Sequence, residues 1–269
     1  MIIDFHTHLF PEKIAARTID YLSKKGGIPP FSDGTASGLI HSLERAEADI
    51  AVNLPVLTNP SQFESVNRFA CEINEQYGNK ARKILSFGGI HPLCDDIDGK
   101  MKQLKDMGFL GVKVHPDYQE TFFNHEGYIR ILNCAKELDM IVVTHAGVDA
   151  GYRDCEVRCT PTLAKEVINK VGHKKLVLAH LGGHNMFSDV YDMLCGTDIY
   201  FDTAYDLRFI GKENFRKILE KHGEDRILFA SDSPWSDIDG DVKILKSFEL
   251  GKETEDKLFC QNAKRLLGI

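Results

Sequence analysis

Short apolar runs alternate along the chain with longer amphipathic stretches. Apolar residues recurring at a spacing near 3.6 predict helices, for example at 61–77, 128–138, 161–171 and 215–222. Runs rich in β-branched residues predict strands at 2–5, 50–54, 84–89, 110–114, 140–144, 175–179, 199–202 and 227–230. The predicted strands recur about every 32 residues, which is the length of one strand-and-helix unit.

Eight such units in series predict an α/β fold, a single-domain (β/α)8 TIM barrel that spans residues 1–269. A doubly wound open sheet is the alternative, since periodicity alone does not separate the two folds. No Pro- or Ser-rich linker divides the chain. Segment 10–39 contains one Gly-Gly pair and one Pro-Pro pair, and we expect it to be irregular and to form part of a lid.

The charge of the chain excludes some classes of partner. A formal net charge of -7 is the reverse of what phosphate backbones require, so we expect no nucleic acid. No apolar run approaches a membrane span and the N-terminus does not resemble a signal peptide, so we expect no membrane contact and a cytoplasmic location. The 7 scattered cysteines are expected to be reduced. A small-molecule substrate and, by default, a homodimer are predicted.

Polar residues stand where several predicted strands end. His6 and His8 are two apart in the first strand, so both side chains point to one face. His145, His180 and Asp232 follow the fifth, sixth and eighth apolar runs. The C-terminal ends of barrel strands form a common rim, so these groups should converge there, whereas an open sheet would spread them along a line.

Imidazoles together with a carboxylate are a donor set suited to zinc or a similar divalent ion, with one position left for water. Any single histidine among them is more often structural. Four such groups at corresponding strand ends predict a metal site.

Lys113 lies inside the fourth apolar run, where an unpaired ammonium group is costly to bury. Three explanations are open. Its amine reacts with carbon dioxide to form a carbamate that bridges two metals, or it pairs with Asp232, or it binds substrate as a cation.

The pattern resembles the metal-dependent amidohydrolase superfamily over the whole chain. The short form resembles most the amidohydrolase-related branch that also holds aminocarboxymuconate-semialdehyde decarboxylase. The matching pieces are Asp4-Phe5-His6-Thr7-His8, Gly111-Val112-Lys113-Val114-His115-Pro116, Thr144-His145-Ala146-Gly147, Ala179-His180-Leu181-Gly182-Gly183, Ala230-Ser231-Asp232-Ser233-Pro234 and the tail 261–268.

The resemblance implies a first metal, usually zinc, on His6, His8, His145 and Asp232. It implies that His180 contacts a second metal or the substrate. In two-metal members a lysine in the position of Lys113 is carboxylated and bridges the metals, whereas one metal suffices in the decarboxylase-like branch. The number of metals therefore stays open.

Three functions follow from this interpretation. The first is a hydrolase of a C–N or C–O bond, in which Asp232 takes a proton from zinc-activated water and His180 stabilises the developing charge. The second is a non-oxidative decarboxylase of a carboxylated ring. The third is a metal-binding barrel without catalysis. The candidate substrate-binding residues are Arg153, Arg208, Tyr205 and Trp235, with Arg158 as a further cation.

Overall fold

A computed structural model describes residues 1–269 and shows a barrel of parallel strands, which confirms the predicted fold class. Each observed strand begins within two residues of the start of the corresponding predicted run. The strands are β1 (Ile3–Thr7), β2 (Ile50–Asn53), β3 (Lys83–Ser86, resumed at Gly88–Gly89), β4 (Gly111–Val114), β5 (Ile141–Thr144), β6 (Leu176–Leu178), β7 (Tyr200–Asp202) and β8 (Ile227–Leu228).

The barrel closes between β8 and β1. The amide of Phe5 donates to the carbonyl of Phe229 at 2.9 Å, and the amide of Asp232 donates to the carbonyl of His6 at 2.8 Å. An isolated parallel bridge joins Thr7 to Ser233 further along. The first and last strands are therefore neighbours, and the open-sheet alternative is excluded.

The third strand is interrupted at Phe87, where the sequence predicted one continuous run. Two asparagines of the helix at 63–77 replace the ladder there: Asn74 accepts from the backbone N–H of Ser86 at 2.6 Å and donates to its C=O at 2.9 Å. Asn67 does the same for Gly89 at 2.8 and 2.9 Å. The buried backbone groups stay paired although the strand is broken.

Helices cover the outside of the barrel. No helix is long and apolar enough to cross a membrane. The helices are α1 (Glu12–Gly26), α2 (Ala36–Arg45), α3 (Phe63–Tyr77), α4 (Ile97–Asp106), α5 (Glu126–Glu137), α6 (Pro161–Val171), α7 (Phe187–Met193), α8 (Leu207–Ile210), α9 (Lys212–His222), α10 (Ile238–Ser247), α11 (Lys252–Asp256) and α12 (Asn262–Leu267).

The prediction of an irregular segment at 10–39 was wrong for most of its length. Helix α1 begins directly after Pro11 and ends at Gly26, and the next residue, Gly27, adopts the left-handed conformation at φ 64°. Helix α2 follows, with Thr35 accepting a hydrogen bond from the amide of Gly38 as its N-cap. The Gly and Pro pairs that suggested irregularity occupy only the end of α1 and the connection to α2.

Two apolar clusters hold the barrel together. The larger cluster, of 51 buried residues, includes one face of the strands and the helices that pack on it. The smaller one, of 15 buried residues, includes Phe5, Phe87, Val143 and Val177 from the barrel interior and Leu266 from helix α12. The interior is thus a packed core, which leaves the rim as the place for a site.

Asn262 attaches helix α12 to the start of β8. Its buried Nδ2 donates to the carbonyl of Ile227 at 2.8 Å and to that of Glu224 at 2.7 Å. Asn262→Ala leaves both carbonyls without this donor, so we expect the free energy of unfolding to fall by about 2 to 3 kcal/mol in urea titration. The exposed Asn133→Ala should change it by less than about 0.5 kcal/mol. Equal effects of the two variants would contradict the role of Asn262.

Acid should destabilise the fold through two buried histidines. Burial lowers the pKa of His173 and of His222 from 6.5 to about 4. Each Nε2 donates to a backbone carbonyl at 3.0 Å. The unfolded chain takes up these protons near pH 6.5 and the fold only near pH 4, so stability is full above pH 6.5 and falls towards pH 4. The expected loss per histidine is about 1.4 kcal/mol for each unit of pKa difference.

Urea titrations at several pH values check this expectation. His222→Phe keeps a ring next to Phe201, with which His222 stacks at 3.8 Å between centroids, and removes one titrating group. Its stability should therefore depend less on pH than that of the wild type. The exposed His41→Gln should keep the wild-type dependence. An unchanged slope in His222→Phe would contradict the assignment.

Candidate metal centre

A β-bulge aims His6 into the barrel. Asp4 pairs with Ala51 and Thr7 with Asn53, so three steps along β1 match two along β2. Phe5 already belongs to the interior cluster, and strict alternation would turn His6 outwards together with Asp4. The extra residue of the bulge brings His6 to the inner side instead. Alternation alone does not place this histidine correctly.

The imidazoles of His6 and His8 both present Nε2 to the same space. His8 Nδ1 lies 2.9 Å from the carbonyl oxygen of Leu54, which only accepts, so Nδ1 carries the proton. His6 Nδ1 donates in the same way to Asp202 Oδ2 at 2.9 Å. Burial lowers the pKa of His6 well below its ordinary value, so its ring is neutral at pH 7.

Asp232 completes a group of three ligand atoms at the end of β8. Its Oδ1 lies 3.2 Å from His8 Nε2 and 3.5 Å from His6 Nε2, and the two Nε2 atoms are 3.2 Å apart. The three atoms all lie within 4.8 Å of one another. Asp232 adopts a left-handed backbone conformation at φ 71°, a strained geometry for a non-glycine residue.

This arrangement fits a divalent cation. In the neutral form of each ring Nδ1 carries the proton, so two Nε2 lone pairs and a carboxylate oxygen face one another. Electron-rich atoms at such short distances repel one another unless a positive charge lies between them. A metal ion satisfies all three, and two nitrogen donors with one oxygen donor suit a borderline divalent ion.

Lys113 supplies a positive charge at the same point. Its buried Nζ lies 2.9 Å from His6 Nε2, and burial lowers its pKa from 10.5 to about 8. It forms no ion pair with Asp232, so that explanation of the buried lysine is not realised. Because His6 Nε2 has one lone pair, Lys113 and a metal ion would compete for it.

The structure does not bring His145 into the same group as His6, His8 and Asp232. It lies in a second group with His115 and Asp149, whose ligand atoms are also within 4.8 Å of one another. The His115 and His145 rings stack at 4.2 Å, and His115 Nε2 is 3.5 Å from Asp149 Oδ2. His145 Nε2 is buried without a hydrogen-bond partner.

His180 lies between the two groups. Its ring centroid is 5.4 Å from that of His6 and 4.6 Å from that of His145. Its Nδ1 donates to the carbonyl of Ala204 at 3.0 Å, which leaves Nε2 free to accept. His184 also lines the cavity and pairs with Asp206 at 2.5 Å.

A cavity of about 1050 Å³ opens above these groups. Histidines of both groups line its inner part, and rings of Tyr118, Tyr152, Tyr205 and Trp235 line other parts. Tyr205 and Trp235 are therefore where the sequence predicted them, at the wall of the cavity. The volume is sufficient for a ring-containing small molecule.

The predicted arginines do not line the cavity. Arg153 donates to the carbonyl of Gly26 at 3.1 Å. Arg208 bonds the hydroxyl of Ser236 and lies 5.0 Å from the ring centroid of Tyr205. Arg158 lies 3.7 Å from Asp117, behind the wall. The cations at the cavity wall are Lys113 and Lys25 of helix α1.

Sequence reasoning missed Lys25 and Asp149 as members of the site. Asp149 lies in the loop after β5, four residues beyond His145, so its proximity to the strand end was a usable signal. Lys25 lies in the segment predicted to be irregular, and nothing in its local sequence distinguishes it from Lys24.

Solved structures similar to this fold include decarboxylases, one of them with bound manganese, and an uncharacterised barrel. An uncharacterised TIM-barrel protein from Bordetella bronchiseptica has a TM-score of 0.78 at 14% identity, covering 99% of this chain and 98% of that one. A dihydroxybenzoic acid decarboxylase from a Polaromonas species, with bound manganese and 2-nitroresorcinol, has a TM-score of 0.73 at 14% identity, with 99% and 96% covered.

A 5-carboxyvanillate decarboxylase from Sphingomonas paucimobilis has a TM-score of 0.69 at 12% identity, covering 100% of this chain and 99% of that one. No curated protein matches the sequence. At these identities the likeness concerns the fold. The family model described as Amidohydrolase (Amidohydro_2), however, matches residues 3–269. The chain therefore belongs to the amidohydrolase family, as the resemblance of its strand-end motifs indicated.

Proposed function

We propose that this protein is a metal-dependent, non-oxidative decarboxylase of a small aromatic carboxylic acid. The observation that carries the proposal is the convergence of His6 Nε2, His8 Nε2 and Asp232 Oδ1 in a cavity walled by aromatic rings. Flat faces of tyrosine, tryptophan and histidine suit a planar ring substrate. Two of the similar structures named above are decarboxylases of such acids.

His6, His8 and Asp232 would hold the divalent ion, and zinc is the ion that the sequence favours for such donors. When bound, the ion supplies positive charge that orients and polarises oxygen atoms of the substrate. Asp202 fixes the ring of His6 from behind by accepting its Nδ1 proton. Partners of this kind keep the ligand nitrogen basic and correctly oriented.

Asp232 moves the proton. While Oδ1 faces the ion, its Oδ2 would deliver a proton to the ring carbon that carries the carboxylate, and a new C–H bond forms. The bond from that carbon to the carboxylate carbon then breaks, its electron pair returns to the ring, and carbon dioxide leaves. The Asp232 carboxylate takes up the next proton from water. His180 Nε2, which is free, accepts a hydrogen bond from a hydroxyl group on the ring.

The sequence favoured a hydrolase, and that function is the second candidate here. The same three ligands suit activation of water, but the aromatic wall and the decarboxylases among the similar structures favour loss of carbon dioxide. The zinc preference, the cytoplasmic location and the homodimer stay predictions.

Turnover by purified protein tests the proposal. Hydroxylated benzoic acids, amides and lactones are incubated with enzyme loaded with Zn²⁺ or Mn²⁺, and released carbon dioxide is measured against substrate loss. We expect one carbon dioxide per aromatic acid consumed, no release after chelation, and recovery on adding the ion. Hydrolysis of amides or lactones without carbon dioxide would overturn the proposal in favour of the hydrolase. An absence of turnover by loaded enzyme would overturn it in favour of a non-catalytic barrel.

A further inference from the structure

A row of rings leads from His180, whose ring centroid is 5.4 Å from that of His6 in the metal-binding group and 4.6 Å from that of His145, to the helix α1 side of the cavity. His145 and His115 stack in parallel, with planes 9° apart. The Tyr118 ring meets His115 edge to face at 4.4 Å between centroids. The Tyr152 ring then meets Tyr118 at 5.2 Å and 71°. A planar substrate bound along this row would extend from the metal group towards α1.

Lys25 stands at the far end of the row. It lies in the last turn of α1, half-buried, with Nζ 3.6 Å from the ring centroid of Tyr152 and 5.2 Å from that of Tyr118. Aromatic faces attract an ammonium group and hold it in place. The cation is thus fixed at the cavity wall, although lysine side chains on a helix surface are normally mobile.

Lys25 forms no ion pair. Its neighbour Lys24 pairs with Asp20 at 2.8 Å on the outer surface, whereas no acidic oxygen lies within 4.0 Å of Lys25 Nζ. Asp149, in the same cavity, has both oxygens turned elsewhere. Its Oδ1 accepts from the amide of Gly151 at 2.7 Å and its Oδ2 faces His115 at 3.5 Å. An oriented, half-buried and unpaired ammonium is suited to bind an anionic group of a ligand.

Tyr118 adds a hydrogen-bond donor at the same place. Burial raises the pKa of its phenol, so the hydroxyl keeps its proton at neutral pH. The cavity volume of about 1050 Å³ is at the upper end of the range for drug-sized ligands. A benzoate alone leaves much of that volume empty.

We propose that Lys25, Tyr118 and Tyr152 form a second anion subsite, which binds a carboxylate on the opposite side of the substrate ring from the metal group. The substrate class is then an aromatic acid with two carboxylates, one reacting and one held by Lys25. This assignment of the reacting carboxylate rests on the proposed function, but the subsite itself is a matter of binding and does not depend on turnover.

Fluorescence of Trp235 tests the subsite directly, because it is the sole tryptophan and lines the same cavity. Terephthalate, with two carboxylates, and benzoate, with one, are titrated into metal-loaded wild type, Lys25→Met and Lys24→Met. We expect wild type and Lys24→Met to bind terephthalate at least about tenfold more tightly than benzoate. Lys25→Met should lose this preference, and Lys25→Arg should restore part of it.

Equal preference in Lys25→Met and wild type would overturn the subsite, as would a wild type without preference. Thermal unfolding of each variant checks that the substitution leaves the fold intact. If a dicarboxylate is turned over, Lys25→Met should raise KM by about tenfold and leave kcat within about threefold. Binding that depends on Lys25 without release of carbon dioxide would keep the subsite and reject the decarboxylase, so the two proposals fail separately.

Discussion

Replacing His8 with alanine should remove the bound metal and with it the activity. The variant loses one of three donors, so we expect metal affinity to fall by more than about 100-fold, since even the outer partners of a ligand are worth 10- to 100-fold. Carbon dioxide release should fall to about 1% or less under conditions that saturate the wild type. Inductively coupled plasma mass spectrometry of the purified variant measures the metal content.

The fold should survive this change. The His8 side chain is 15% exposed, and its Nδ1 donates one hydrogen bond, to the carbonyl of Leu54. The matched control is His41→Ala, which removes an exposed histidine of helix α2 and should retain wild-type metal content and activity. A full equivalent of metal together with wild-type turnover in His8→Ala would show that His8 is not a ligand.

Replacing Asp232 with asparagine should stop proton transfer while the cavity keeps its shape. The amide has nearly the volume of the carboxyl group, but it cannot carry a proton to the ring carbon. General acid catalysis contributes about 10² to 10⁴ in rate, so kcat should fall by about 10³. Stopped assays of carbon dioxide release at saturating metal and substrate give this number.

Ligand binding separates loss of chemistry from loss of the site. The asparagine Oδ1 can still face the ion, so in metal-loaded Asp232→Asn aromatic acids should still change the fluorescence of Trp235, with affinities within about tenfold of the wild type. Asp239→Asn is the control, because Asp239 pairs only with Lys243 on the surface of helix α10. Activity of Asp232→Asn within tenfold of the wild type would refute its role as the proton carrier.

Much of the fold was predictable because local signals agree with the tertiary structure. Helix α6 matches its prediction at both ends, since Thr160 caps it, Pro161 opens it and Gly172 ends it at φ 63°. The break in β3 was not predictable from the strand itself. It depends on Asn67 and Asn74 of helix α3, whose side-chain amides replace the missing hydrogen bonds between the strands.

The candidate site was likewise predictable only in part. His6, His8 and Asp232 converge as their strand-end positions indicated, although His6 reaches the interior through a bulge that the alternating pattern does not contain. Arg153 and Arg208 lie in the expected loops but point to other partners, because distant backbone and hydroxyl groups decide their directions. Residues at strand ends can be placed at the site from the sequence, whereas the direction of a loop side chain is known only from the folded structure.

The placement of His145 is the main difference at the site. The family resemblance implied that it binds the same ion as His6 and His8, whereas the structure groups it with His115 and Asp149. Its buried, unpaired Nε2 faces Asp117 Oδ2 at 3.8 Å, and that oxygen is unpaired as well. The two groups therefore offer different positions for an ion, and which of them binds more tightly can be measured.

An anomalous difference map from crystals grown with Mn²⁺ tests the central claim most directly, because it locates the ion without reference to activity. We predict a strong peak between His6 Nε2, His8 Nε2 and Asp232 Oδ1, with Lys113 Nζ displaced from His6. A peak only between His115, His145 and Asp149, or no peak at either group, would contradict the account.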